Sequence, residues 1–118
     1  MHEMGIALEI IDITTASIPA DMPEAKVARI NLNIGKLSAV VGDSLRFCFE
    51  VASKDTPLDG AELVIAEIPV EAQCDDCRHR WIINSPAFLC ENCNSGSIQI
   101  LSGRELDIDS IELAEEET

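Results

Sequence analysis

Apolar residues at Met4, Ala7, Leu8 and Ile11 recur at the three- and four-residue spacing of one helical face, which predicts an opening helix from about Met4 to Ser17. Ile6, Ile10 and Ile13 widen that face, and their β-branching lowers helix propensity. Pro19 and Pro23, within SIPADMPEA, close the segment and make a loop. The period then changes to two. In KVARINLNIGK, Ala28, Ile30, Leu32 and Ile34 point one way and Arg29, Asn31 and Asn33 the other, the pattern of a half-buried strand ended by Gly35. A second helix is expected from near Gly42 or Asp43, with Asp43 or Ser44 as N-cap. Leu45, Cys48, Phe49 and Ala52 form its apolar stripe, and Pro57 follows its end.

AELVIAEIPV is apolar on both faces in part and reads as a central strand. RELDIDSIELA reads as a third strand, in which Leu106 and Ile108 share a phase that Ile111 and Leu113 do not, so a bulge or bend is expected. Between them lies QCDDCRHRWIINSPAFLCENCNSG, short, turn-rich and with little to hold it together except its cysteines. These elements predict an α+β fold: a small mixed α/β body of about three strands and two helices, with an inserted zinc-ribbon-like module. The body takes residues 1–69 together with 102–118, and the module residues 70–101. Two strands joining such a module to its body invite strand exchange, so monomer and domain-swapped dimer both stay open.

Composition narrows the chemistry. At 118 residues the chain holds one compact domain plus a small module. A hydrophobic share of 47% is enough to fold, but with 3% aromatics the core must come mainly from Ile, Leu, Val and Ala. The net charge of −14 repels phosphate backbones, which argues against nucleic acid and favours metal cations and basic protein patches. Part of that excess sits in IELAEEET, expected as a solvated, frayed end. No apolar run is long enough to span a membrane, and the start lacks the basic region and cleavage site of a secretory signal. With nothing removed, MHE would be the true beginning of the protein. Five cysteines, four of them in two CxxC pairs, fit a metal in a reducing compartment better than a disulfide framework, so a cytoplasmic protein is expected.

Cys74, Cys77, Cys90 and Cys93 have the spacing C-x2-C-x12-C-x2-C. Each pair offers two thiolates from one tight turn, and two facing turns place four sulfurs at tetrahedral corners. Zinc accepts that geometry, and four thiolates leave no open position, so the ion is structural. Iron in a rubredoxin-like arrangement is the rival ion. A redox CxxC of the thioredoxin kind is disfavoured, because that motif stands singly where a strand passes into a helix. RHRW is the one basic-aromatic cluster that could meet nucleic acid, on a chain of the wrong charge. His79 could compete as a ligand, although four cysteines already complete the set; Trp81 reads as the module's small apolar core, and Cys48 as a buried, unreactive hydrophobe.

His2 draws interest through its position. A terminal amine, the following amide nitrogen and an imidazole can close small chelate rings on one ion, and such nitrogen sets suit Cu(II) or Ni(II) better than zinc or magnesium. Glu3 adds a further main-chain nitrogen and a carboxylate. A frayed terminus with an accidental histidine is the other reading of the same three residues.

The opening MHEM, IGKLSAV, LRFCFEVA, GAELVIAEIPV, the paired CxxC and the closing LSGRELDIDSIEL resemble, in that order and over nearly the whole chain, the HypA/HybF family of nickel metallochaperones. The resemblance implies that Met1, His2 and Glu3 hold Ni(II) as transient cargo, and that Cys74, Cys77, Cys90 and Cys93 hold a structural Zn(II). It also implies partners: a nickel-inserting GTPase of hydrogenase maturation, the [NiFe]-hydrogenase large-subunit precursor and, in some members, urease maturation proteins. Unlike a chain with a further imidazole in the first helix, this one has none there, so any nickel geometry needing one is in doubt. Nickel affinity is expected to fall as the imidazole at position 2 protonates, below about pH 6.5 for an ordinary histidine. No nucleophile–base pair, HExxH motif or glycine-rich phosphate loop supports an enzyme. A zinc-ribbon interaction module without specific nickel carriage is the alternative.

Overall fold

A computed structural model describes residues 2–85 and 87–114. Its elements run α1 (Glu3–Ala16), β1 (Val27–Gly35), a 3-10 turn (Lys36–Ser38), α2 (Gly42–Ala52), β2 (Glu62–Ile68), β3 (Glu71–Cys74), β4 (Arg80–Ile82), β5 (Ile98–Ile100) and β6 (Leu106–Leu113). The fold is α+β, with two helices and two three-stranded sheets of order β2-β1-β6 and β4-β3-β5. None of the helices is long and apolar enough to cross a membrane, among the described residues.

The chain divides into two compact units: Met1–Leu32 with Val40–Ala66 and Asp107–Thr118, and Asn33–Ala39 with Glu67–Leu106. In the first, α1 packs on α2. The buried stripe of α1 is Ala7, Ile10, Ile11 and Thr14. Met4 and Leu8, expected on that face, are exposed. The helix is apolar almost all round, so the periodicity alone did not fix its rotation; the small side chain of Ala7 marks the side of closest approach. From α2, Leu45 and Phe49 are buried as expected, while Cys48 is only half-buried. The N-cap is Val41, acting through its carbonyl, which accepts the Leu45 N–H at 2.9 Å; neither Asp43 nor Ser44 caps the helix.

Strand β1 is the central strand of its sheet, and β2, expected there, is an edge strand. Ile30, Leu32 and Ile34 are buried in alternation, but Ala28 is exposed and Val27 buried, so the phase breaks before Ile30. On the polar side the Arg29 guanidinium reaches Glu62 at 3.4 Å and Glu112 at 3.1 Å, and the Asn31 amide donates to Ser110 and Glu112, both at 2.9 Å. The Asn31 hydrogen bond, then Arg29, holds the Glu112 carboxyl below its ordinary range. In β6 the half-buried positions are Ile108, Ile111 and Leu113, which reproduces the expected change of phase. Ile111–Leu113 therefore belong to a strand and not to a frayed tail; the remainder of that expectation, residues 115–118, lies outside the described residues.

The second unit has more regular structure than its sequence suggests. Strand β3 pairs antiparallel with both β4 and β5, with Ala72 opposite Trp81 on one side and Ile100 on the other. Val70, Ala72 and Ile83 are buried, with Trp81, Ile98 and Ile100 packed against them. Residues 33–39 join this unit through main-chain bonds: Gly35 N–H to the Glu105 carbonyl and Leu37 N–H to the Gly103 carbonyl, both 2.7 Å. The two backbones cross so closely that a Cβ on Gly35 would collide with the carbonyl group of Gly103. Gly103 itself has φ +115°, a conformation that L side chains rarely adopt.

Candidate metal centre

Cys74 ends β3, and Cys77 follows in the turn toward β4. Cys90 and Cys93 occupy a second turn before β5. The two turns repeat one main-chain design. The Arg78 N–H donates to the Cys74 carbonyl at 3.0 Å and the Asn94 N–H to the Cys90 carbonyl at 2.8 Å. Each turn is then closed by a bond from the first cysteine's N–H, to His79 O in one and Ser95 O in the other, both 2.9 Å. Arg78 (φ 67°) and Asn94 (φ 60°) occupy the same left-handed position after the second cysteine. Asparagine tolerates that conformation readily; arginine adopts it at some cost, typically ~1 kcal/mol or more.

The four Sγ atoms lie within 4.8 Å of one another, with Cys74–Cys93 and Cys77–Cys90 each 3.6 Å apart. A tetrahedral ion with metal–sulfur bonds of about 2.3 Å requires sulfur–sulfur edges of about 3.8 Å. The donor set therefore fits a tetrathiolate ion and leaves no position for a substrate. Main-chain N–H groups also point at the sulfurs: Cys77 N at 3.5 Å from Cys74 Sγ and Asn92 N at 3.4 Å from Cys90 Sγ. The Asn92 side-chain amide lies 3.5 Å from Cys77 Sγ. That amide, followed by a main-chain bond from His79, pulls the Cys77 thiol down to about 6. The Ser95 amide pulls on Cys93 in the same way, but sharing with Cys74, burial and the remaining sulfurs outweigh it and push Cys93 up to about 12. Four sulfurs this close cannot all be charged without a cation between them.

Around the sulfurs, Ser97 Oγ donates to Asp75 at 3.1 Å and Ser95 Oγ donates to Asp76, tying the second turn to the first. His79 is turned outward: Nε2 lies 2.7 Å from Glu91 and the ring stacks on Trp81 at 5.8 Å between centroids. Only the four cysteines converge as possible metal ligands among the described residues, and His79 is not with them. Asn92 and the two serine–aspartate ties carried no signal in the sequence beyond the polarity of the turns.

At the other candidate site, Met1 lies outside the described residues. His2 is exposed and stands as N-cap of α1, its carbonyl accepting the Ile6 N–H at 3.3 Å. Glu3 is the first helical residue, and its carboxylate accepts a hydrogen bond from Ser44 Oγ at 3.3 Å. The first N–H groups of a helix have no intrahelical acceptor. The main-chain nitrogens beside His2 can therefore be engaged without opening a helical bond.

Residues 1–113 match the family model described as hydrogenase/urease nickel incorporation, metallochaperone, hypA. The chain is 57% identical to a hydrogenase maturation factor HypA of Desulfosudis oleivorans, over 98% of this chain and 100% of that one. It is 54% identical to the HypA of Desulfatibacillum aliphaticivorans, over 99% and 90%. The solution structure of the Ni metallochaperone HypA from Helicobacter pylori superposes with a TM-score of 0.64 at 28% identity, covering 98% of this chain and 100% of that one. This chain belongs to the HypA family, whose members are metallochaperones of hydrogenase maturation and not catalysts.

Proposed function

We propose that this HypA-family chain carries Ni(II) on its first three residues and yields it for assembly of the [NiFe]-hydrogenase active site. The Met1 amine, the His2 imidazole and the adjoining main-chain nitrogens of His2 and Glu3 form the claw. In this reading residues 1–69 with 102–118 are the nickel-binding domain, and residues 70–101 the zinc-binding module. Cys74, Cys77, Cys90 and Cys93 hold the structural zinc, which neutralises their mutual repulsion and supplies folding free energy to a segment with a small apolar core. Delivery runs through a nickel-inserting GTPase to the hydrogenase large-subunit precursor, with urease maturation proteins as further recipients, in the cytoplasm.

The observation that carries this reading is the match to a nickel-incorporation family over residues 1–113, in a chain that opens Met1-His2-Glu3. Chemistry supports it. A nitrogen set on an exposed terminus is open to a recipient, and protons compete with nickel for the same nitrogens, so acid favours release.

The test measures nickel and zinc content in the untagged protein, in His2→Ala, and in a form with one residue added before Met1. Nickel should be lost in both variants with zinc kept. Stoichiometric nickel in either would overturn the proposal, and no specific nickel in any form would leave a zinc-ribbon interaction module.

A further inference from the structure

We propose that Ser44 is a positioning residue for the nickel claw, acting through Glu3. The inference deepens the nickel reading above and rests on it. Ser44 is the third residue of α2, past the N-cap position held by Val41. Its hydroxyl donates to the Glu3 carboxylate, 41 positions away in sequence. The contact is part-buried, unlike most side-chain bonds of the first unit.

Its place gives it leverage. Glu3 is the first residue of α1, so its amide nitrogen is one of those without a helical acceptor. The same residue carries the carboxylate held by Ser44. Tying that carboxylate to α2 restrains the first residue of α1 against fraying, and with it the backbone that carries the Glu3 amide. The anchor is firm, because α2 is packed on α1 through the buried Leu45 and Phe49. The carboxylate also lies at the amino ends of both helices, where partial positive charge favours an anion. A claw on a free chain end would have to be ordered by the ion it binds. One whose third residue is already fixed loses less freedom on binding and so binds more tightly.

Nickel affinity, measured by competition with a chromophoric chelator, tests this in the full-length zinc-loaded protein. Ser44→Ala should weaken Ni(II) about fivefold, the cost of ordering roughly one further side chain on binding. Ser44→Thr, which keeps the hydroxyl, should restore it. In a Glu3→Ala background, Ser44→Ala should cost nothing further, since the two act as one unit. Zinc content should not change between these forms, and Ser44→Ala should lower the thermal midpoint no further in the Glu3→Ala background. Wild-type nickel affinity in Ser44→Ala, a loss that threonine does not restore, or a loss that adds to that of Glu3→Ala would each overturn the role of Ser44. His2→Ala, run beside them, separates the two levels. If it loses nickel while Ser44→Ala does not, only the positioning role fails. If it keeps nickel, the claw itself fails and the Ser44 role falls with it.

Discussion

The two helices and the two cysteine turns of this chain are ordered by different means. In the helix pair, order comes from apolar side chains: Ala7, Ile10 and Ile11 on α1 and Leu45 and Phe49 on α2 are buried. The cysteine turns have little of this. Their unit buries Val70, Ala72 and Ile83, and its other fully buried groups include the sulfur-bearing Cys74 and Cys90. What organises them is main-chain hydrogen bonding, repeated from one turn to the next, and a set of sulfurs spaced for a cation. The lesson is that one stretch of a chain can be arranged around a prospective ion while another is held by apolar burial alone.

The sharpest way to break this contrast is to remove the metal. With the zinc proposed for these turns, its chelation, or Cys74→Ser, should unfold them, since structural zinc contributes ~10–16 kcal/mol in small modules. The far-UV helical signal of α1 and α2 should persist. If the helical signal collapses at the same chelator concentration, the two regions are not ordered separately. Next in size is Gly35→Ala. Its new methyl meets main chain, which cannot swing aside, so a loss of ~4 kcal/mol or more is expected in urea denaturation. Leu45→Ala sharpens the comparison from the other side. Leu45 is fully buried, and its truncation should cost ~3 kcal/mol with zinc content unchanged.

The smallest effect concerns the polar side of the β2-β1-β6 sheet. Glu112 has a depressed carboxyl pKa in the folded state, so its contribution is present above the ordinary carboxylate value and is lost as pH falls through the lowered one. Asn31→Ala should therefore be less stable than the parent at neutral pH and should approach it as the pH falls through the lowered Glu112 carboxyl value. A difference that stays constant over that range would remove the hydrogen bond to Glu112 as its cause.

Much of this was legible in the chain itself. Both helices, the strands that became β1, β2 and β6, and the four converging cysteines follow from periodicity and spacing. Where the sequence misled, the reason is physical. The centrality of β2 was inferred from apolar residues on both faces, but Val64 and Ile65 are only half-buried, Ala66 is exposed, and the strand lies at an edge. The rotation of α1 could not be fixed from a helix with isoleucines on several sides. Strands β3, β4 and β5 are three or four residues long, too short for alternation to register. Ser44 has the composition of a cap, but α2 begins earlier, with Val41 at the N-cap position, and the Ser44 hydroxyl reaches across to Glu3. Met1, whose amine the proposed claw uses, lies outside the described residues.

The crossing of residues 35 and 103 has a consequence for inheritance. An oversized side chain in a core can be rescued by shrinking a neighbour, so most such lesions have a second-site suppressor. At Gly103 part of the obstacle is a Val70 methyl that could be shortened, although the backbone angle would still object. At Gly35 the obstacle is the peptide group between Gly103 and Arg104, and no codon change shortens a peptide group.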